Sequence, residues 1–361
     1  MIDNNKVVRA LREVVDPTSG HDIISQKVVS DFKIVDNQIS FSLNLEKAES
    51  KVKSAVYFAC EQAVKAIYPD ADLNVHMKSE PPKVGGNTTL PQIKNLIAVG
   101  SGKGGVGKST ISLNLAMGLK AKGYRVGIMD ADLYGPSIPT MLGITDVKPK
   151  VVQVYDKHKL VPIKSNGLHA ISIGNIIDPE QAVVLRGPRL GGIIKQFVYD
   201  CVWPELDFMI IDLPPGTGDI QLTLVQTLAL TGAVMVTTPQ EVAVADAIKA
   251  TNMFKLPHVN VPILGIIENM SWFTPQEMPD KRYYIFGENG GKKLSKYADT
   301  ALLGQMPLIA AARESGDQGK PAFTEISEVE THFSPIVDNF LKQLSLRHEF
   351  IAPTERVQIK Q

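Results

Sequence analysis

The stretch NLIAVGSGKGGVGKST, residues 95–110, contains the feature that decides the fold. An apolar run ends at Gly100, the segment Gly102–Ser109 has the pattern GxxxxGK[ST], and the residues after it have the apolar period of a helix. A strand, a glycine-rich turn and a helix in this order bind phosphate, because the glycines let backbone N–H groups converge on phosphate oxygens at the positive end of the helix. The sequence therefore predicts a P-loop that binds a nucleotide.

Side chains inside this loop have distinct expected roles. Lys108 supplies a point charge beside the phosphates, and the Ser109 hydroxyl is a candidate ligand of Mg²⁺. A glycine-rich turn that only caps a helix is the alternative, which the complete order of strand, loop, lysine, hydroxyl and helix disfavours. The residues expected to contact the nucleotide are consecutive: Gly102, Lys103, Gly104, Gly105, Val106, Gly107, Lys108, Ser109 and Thr110.

Carboxylates at the ends of two further strands are expected to complete the site. RVGIMDAD ends with Asp130 and Asp132, and DFMIIDLPPGTGD places Asp212 similarly; open α/β sheets bind ligands at this edge. We predict that Ser109, Asp130 and Asp212 hold or orient Mg²⁺. Asp130 and Asp132 share the metal-orienting and water-positioning roles in an order that the sequence leaves open, and capping of a helix or turn is the alternative for each carboxylate.

The loop after Asp212 predicts a moving part. Residues 214–218 read PPGTG, so the segment is rigid at its prolines and permissive at its glycines. This composition suits a switch that responds to the γ-phosphate.

The whole chain predicts two domains. Residues 1–78 alternate helical and strand patterns, which indicates a small α/β domain, and residues 79–94 contain the proline- and glycine-rich linker SEPPKVGGNTTLPQ. Over residues 95–345, short runs that are apolar almost throughout recur between helical segments, which is typical of a doubly wound, mostly parallel α/β sheet. Residues 346–361 are expected to form a loosely held tail.

Composition excludes several classes of protein. The 38 Lys and Arg residues balance the 38 Asp and Glu residues, so no nucleic-acid partner is expected. No apolar run approaches the roughly 18 residues of a membrane helix, and the N-terminal residues have charges where a signal peptide is apolar. With only 2 Cys, these features predict a cytoplasmic protein without a membrane partner.

Lys103 is a second lysine inside the phosphate loop. The sequence KGGVGKS resembles the deviant Walker A motif of the MinD/ParA-like ATPases, in which the extra lysine reaches the phosphates of the partner subunit across a nucleotide-sandwich homodimer. The resemblance adds Lys103 to the predicted catalytic residues, which also include Lys108, Asp130 and Asp132. A solvated Lys103 is the alternative.

Further segments resemble the Mrp family of iron-sulfur cluster carrier ATPases: GSGKGGVGKST, MDADLYGPSIP, IIDLPPGTGD, TTPQEVAVADA, GIIENMS and ARESGDQGKPAF. Residues 1–78 are similar to the small iron-sulfur maturation domain that often precedes this ATPase. The resemblance implies slow Mg²⁺-dependent ATP hydrolysis by a homodimer with ATP at the subunit interface. It also implies base recognition by Asn269 and by the backbone near Pro307, a [4Fe-4S] cluster, and partners that are apoprotein clients or iron-sulfur assembly proteins.

One family feature is absent from the sequence. The family places a CxxC pair after the ENMS segment, whereas this chain reads ENMSWFTPQEMPDKRYYIFGENGG, in which Glu277 is a hard carboxylate rather than a soft thiolate ligand. Cys60 and Cys201 lie in amphipathic runs and are predicted to be core residues. Trp272 and Phe273 leave two readings open, a packed or docking surface and a plain loop.

Three functions therefore remain open. They are a cluster carrier whose ligands come from elsewhere, an ATP-switched scaffold that holds no cluster, and a positioning ATPase of the MinD/ParA kind. The last lacks an evident membrane-binding tail or basic DNA face.

Overall fold

A computed structural model describes residues 2–352 except 18, 36, 46–49, 79–89, 133–134, 155–156, 177–191, 193–195 and 258. The chain divides into two compact units: Met1–Gly86 with Ser345–Pro353, and Asn87–Leu344 with Thr354–Gln361. Most of the predicted linker, residues 79–89, and the end of the predicted tail, residues 353–361, lie outside the described residues. The domain limits given above stay predictions.

The first unit packs two helices and a three-stranded sheet around one core. The Asp3 carboxylate caps its first helix by accepting a hydrogen bond from the backbone N–H of Asn5. The alternating segments VVSDFKIV and NQISFSLNL form an antiparallel hairpin, and a third strand, whose pattern is short and polar, pairs in parallel with the second. Its elements are α1 (Asn4–Arg12), β1 (Val29–Val35), β2 (Gln38–Asn44), α2 (Ser50–Ile67) and β3 (Asp72–Lys78).

The second unit contains an eight-stranded sheet in the order β13-β12-β11-β4-β10-β5-β9-β8. All neighbouring strands are parallel except the edge pair β8 and β9. The apolar runs NLIAVGS, RVGIMDAD, FMIIDLPP, AVMVTTP, ILGIIEN and ALLGQMP form the six neighbouring strands of this sheet from β13 to β5. The strands are β4 (Ile93–Ser101), β5 (Val126–Asp130), β8 (Ile163–Ser165), β9 (Leu168–Ser172), β10 (Leu206–Asp212), β11 (Gly232–Thr237), β12 (Ile263–Glu268) and β13 (Leu302–Gln305).

Buried side chains alternate between the two faces of this sheet. Leu96 and Ala98 of β4 belong to one hydrophobic core, whereas Ile97 and Val99 belong to the other. This explains why these strands are apolar almost throughout, since both faces are covered by helices. The helices are α3 (Lys108–Ala121), α4 (Ile138–Met141), α5 (Asp219–Thr227), α6 (Glu241–Lys255), α7 (Gly290–Ala298), α8 (Ala310–Asp317), α9 (Ala322–Glu325) and α10 (Ser327–Phe350).

Two elements differ from the sequence prediction. A separate hairpin, β6 (Lys150–Val154) and β7 (Lys157–Val161), lies between α4 and β8. The last helix continues to Phe350, past the predicted start of the tail at residue 346, because Arg347 and Phe350 are buried.

The predicted fold class, a doubly wound α/β sheet preceded by a small α/β region, is confirmed. Among the described residues, no helix combines the length and apolarity that a membrane span requires.

Candidate nucleotide-binding site

A cavity of about 840 Å³ opens at the carboxyl ends of the central strands, beside the phosphate loop. It lies where an open α/β sheet binds ligands, and its volume suits a nucleotide. Predicted site residues that line it are Lys103, Gly104, Gly105, Gly107, Lys108, Ser109, Thr110, Asp132, Asn269 and Pro307. Predicted residues that do not line it are Gly102, Val106, Asp130 and Asp212.

The Lys108 ammonium forms the centre of a buried ion cluster. Its Nζ lies 2.8 Å from Oδ1 of Asp212 and 3.6 Å from Oδ2 of Asp132. Lys108 is only 6% exposed and Asp212 is fully buried, so the carboxylates compensate a charge that would otherwise be costly to desolvate. An anionic phosphate group entering the cavity would be a further partner for this charge.

The Asp212 carboxylate also holds two hydroxyls of α3. Ser109 Oγ donates to Oδ2 at 2.5 Å, and Ser112 Oγ donates to Oδ1 at 2.6 Å. Ser109 and Ser112 lie three residues apart and therefore on one face of the helix. A hydroxyl beside a carboxylate is an oxygen donor set that suits Mg²⁺, and it can hold the ion directly or through water.

The structure separates the two carboxylates that follow β5. Asp130 is fully buried, and it accepts hydrogen bonds from the Asp132 N–H at 3.1 Å, the Ile138 N–H at 3.3 Å and the Ser172 hydroxyl at 3.0 Å. Burial, followed by the neighbouring Asp212 charge, raises the pKa of Asp130 well above its ordinary value. Asp130 thus organises the turn, whereas Asp132 faces the cavity.

Two glycines are required where other elements approach the loop. A Cβ on Gly102 would lie 2.1 Å from the backbone nitrogen of Ala247 in α6, so this helix seats directly on the loop. Gly107 has a φ of +78°, and a Cβ there would lie 2.2 Å from Nδ2 of Asn269.

Asn269 connects β12 to the phosphate loop. Its side-chain amide is 8% exposed and donates to the Val106 carbonyl at 2.9 Å. Asn269 therefore holds the phosphate loop in place. It also lines the cavity.

Lys103 points across the loop to α6. Its Nζ donates to the side-chain carbonyl oxygen of Gln240, just before that helix, at 3.3 Å. Its backbone carbonyl accepts from the Ser101 hydroxyl at 3.0 Å. The loop 214–218 is tied to the same strand end, because the Gly216 N–H donates to the Ser101 carbonyl at 2.9 Å.

The segment that follows Asn269, in which the sequence has no cysteine, folds back on itself. Phe273 and Tyr283 form an antiparallel bridge through two backbone hydrogen bonds of 2.9 and 2.8 Å. Trp272 is buried, and it packs edge-on against His332 and beneath the Arg282 guanidinium, 4.5 Å from the ring centroid. Trp272 therefore serves packing within the unit.

Both cysteines are core residues, as predicted. Cys60 is fully buried and Cys201 is 5% exposed, and burial raises the pKa of each thiol to about 12. Among the described residues, no group of three or more His, Cys, Asp or Glu side chains could hold a metal ion.

The sequence patterns did not predict several residues of the site. Ser112 and Gln240 contact Asp212 and Lys103, and Arg313 and Lys320 line the cavity. The position of Ser112 three residues after Ser109 was a usable signal for a shared partner. Gln240 follows β11, whereas Arg313 and Lys320 follow β13, so their convergence depends on the tertiary fold.

Comparison with known families decides the identity of the domains. A family model described as NUBPL iron-transfer P-loop NTPase matches residues 92–342. The chain belongs to this family. A second model, described as iron-sulfur cluster assembly protein, matches residues 4–77, which lie in the first unit.

Named relatives agree with the family. The chain is 40% identical over 348 residues to the iron-sulfur cluster carrier protein of Synechocystis sp., covering 96% of this chain and 98% of that protein. It is 40% identical over 321 residues to the iron-sulfur cluster carrier protein of Deinococcus radiodurans, covering 88% of this chain and 89% of the relative.

Solved structures agree with the fold. A nucleotide-binding protein from Archaeoglobus fulgidus in complex with ADP superposes with a TM-score of 0.58 at 35% identity, covering 68% of this chain and 94% of that one. The septum site-determining protein MinD from Pyrococcus horikoshii, complexed with Mg-ADP, gives a TM-score of 0.52 at 21% identity, over 70% of this chain and 98% of that chain. The second likeness shows a shared fold only.

Proposed function

We propose that this chain is a Mg²⁺-dependent ATPase of iron-sulfur cluster assembly that carries clusters to apoproteins. The observation that supports the ATPase most directly is that one and the same cavity is lined by Lys108, Ser109, Asp132, Asn269 and Pro307. These residues supply the charge, the hydroxyl, a carboxylate and the base contacts that ATP requires. The names of the relatives support the carrier function.

Each residue of the site is proposed to have its own part in hydrolysis. Lys108 would turn from Asp212 toward the β- and γ-phosphates, which keeps the buried ammonium compensated. Ser109 and Asp212 would hold Mg²⁺, and the ion would supply charge stabilisation for the transferred phosphoryl group. Asp132 would position the attacking water, with Asp130 holding the Asp132 backbone in place.

Lys103 is proposed to act across a homodimer. Within its own subunit it contacts Gln240 rather than Lys108 or the carboxylates. Release from Gln240 would let the ammonium reach the partner's phosphates, where it acts as an arginine finger does.

The cluster is proposed to be cargo held through external thiolates. [4Fe-4S] clusters are held by deprotonated cysteines, whereas Cys60 and Cys201 are buried with pKa values raised to about 12. A client, an assembly protein or a small thiol such as glutathione would therefore complete the ligand set. The same observation favours a second candidate, an ATP-switched scaffold that holds no cluster.

A transfer experiment separates the two candidates. The full chain would be treated anaerobically with iron, sulfide and glutathione and then mixed with an apo-ferredoxin, with and without Mg-ATP. Cluster acquisition followed by ATP-accelerated transfer, read by visible circular dichroism, supports the carrier. Dimer closure on ATP without any acquisition supports the scaffold. If ATP causes no dimer closure and is not hydrolysed, both candidate functions are contradicted.

A further inference from the structure

A second cavity, of about 450 Å³, lies along β8, the last strand at one end of the large sheet. It shares no lining residue with the nucleotide cavity. Its walls come from the segment before β6, the first residue of β6, the end of β7, β8, β9 and the segment before β10. The nucleotide mechanism uses none of these residues, so the cavity requires its own explanation.

The walls of this cavity are basic. Lys148, Lys150, Lys164 and His169 line it, and no Asp or Glu is among the described residues that do. This concentration of cations is local, because the whole chain has a formal net charge of +0. An anionic group is therefore the complementary ligand.

The pairing of β8 with β9 brings two donor side chains together. Lys164 lies directly opposite His169 in the antiparallel register, so the two side chains are neighbours on one face of the sheet. Burial, followed by the charge of Lys164, lowers the pKa of His169 and favours its neutral ring, which still carries an N–H. A carboxylate between the two side chains would pair with the Lys164 ammonium and accept a hydrogen bond from His169, which favours an anion at this position.

The remaining walls distinguish between kinds of anion. Pro162 and Pro204 have no N–H to donate, and arginine is absent from the described lining, so the cavity offers lysine point charges without a bidentate guanidinium. Val147 and Val202 are both 42% exposed, so the walls present apolar surface. The lysines can pair with acidic side chains and the valines can pack against apolar ones, so the lining is complementary to a peptide in which acidic and apolar side chains alternate.

The strand beside the cavity offers a backbone for such a peptide. Within the described part of the chain, β8 pairs only with β9, and its other side forms the edge of the sheet. An extended peptide can bind such an edge through backbone hydrogen bonds while alternate side chains enter neighbouring pockets. We propose that this edge binds an extended acidic segment of a partner protein, with its carboxylates at Lys150 and Lys164 and an apolar side chain in the cavity beside Val202.

Fluorescence anisotropy with the full chain tests this proposal. The probe is a fluorescein-labelled peptide of roughly ten residues that alternates glutamate and valine, and a lysine-valine peptide of equal length is the control. We expect saturable binding of the acidic peptide alone, weakened by salt. The double variant Lys150→Glu and Lys164→Glu should lower the affinity at least about tenfold, and Val202→Ser by a few-fold. The double variant Lys292→Glu and Lys296→Glu, at two exposed lysines on α7, is the matched charge control and should leave binding unchanged.

Three results would overturn the proposal. One is equal affinity in wild type and the double charge-reversal variant, provided that both melt at the same temperature. Another is equal binding of the two peptides. The third is displacement of the probe by citrate or orthophosphate at concentrations similar to that of unlabelled peptide, which would make the cavity a site for small anions. Since none of these residues contacts the nucleotide cavity, the result is independent of the ATPase proposal.

Discussion

Gly102→Ala is predicted to displace α6 from the phosphate loop and to destabilise the protein. The added Cβ would lie 2.1 Å from the Ala247 nitrogen and 2.1 Å from the Asp246 carbonyl carbon. Ordinary contacts of this kind are about 3.5 Å or longer, so backbone must move by more than about 1 Å. Overpacking of a tight site costs about 1–3 kcal/mol, and a collision with backbone places this variant near the upper value. At about 2 °C per kcal/mol for a domain of roughly 250 residues, the melting temperature should fall by about 6 °C.

Gly104→Ala is the matched control for this substitution. Gly104 belongs to the same loop, its φ is not positive, and a Cβ there would have only Pro215 Cγ as a neighbour, at 4.0 Å. Its melting temperature should stay within about 2 °C of wild type, because an alanine that fits costs little. Differential scanning calorimetry without nucleotide measures both variants. Equal melting temperatures for the two would refute the close approach of α6 and, with it, the position assigned to Gln240.

Four further predictions follow from the same geometry. Lys108→Ala should abolish detectable ATP binding by titration calorimetry, and unchanged affinity would contradict the P-loop assignment. Lys103→Ala should bind ATP with wild-type affinity but lose ATP-dependent dimerisation in light scattering and most turnover; wild-type turnover would exclude action across the dimer. Asp132→Asn should lower turnover about 100-fold, whereas Asp130→Asn, which loses a positioning group, should lower it less than about 10-fold; the reverse order would exchange their roles. At pH about 8, iodoacetamide should label Cys60 and Cys201 only after unfolding in guanidinium chloride, because pKa values raised to about 12 keep both thiols protonated; mass spectrometry of the folded chain would reveal any earlier labelling.

Local patterns predicted the centre of this molecule well. The strands of the large sheet are apolar on both faces, so the runs around Ile97, Ile128 and Ile210 are visible without any partner. The phosphate loop is equally local, because its glycines, lysine and hydroxyl lie within a single turn and helix start. Their joint pattern therefore predicted both the parallel sheet and the nucleotide cavity.

Features that depend on long-range packing could not be predicted in this way. The different surroundings of Asp130 and Asp132 arise from Ser172 and Ile138, which approach from β9 and α4. The contact between Lys103 and Gln240 joins residues 137 positions apart. Edge strands such as β8 are short and half-polar, so their period is too weak to detect, and the basic cavity beside them is visible only in three dimensions.

The central claim is that the chain carries a cluster whose thiolate ligands come from another molecule. The iron content of the reconstituted dimer tests this claim most directly. The wild type and a Cys60→Ser, Cys201→Ser double variant would be treated anaerobically with iron and sulfide, with and without glutathione, and desalted before iron analysis. We predict about four irons per dimer in both proteins when glutathione is present, and no stable cluster in either without it. About four irons per dimer in the wild type without glutathione, lost in the double variant, would contradict the claim and make Cys60 or Cys201 a cluster ligand.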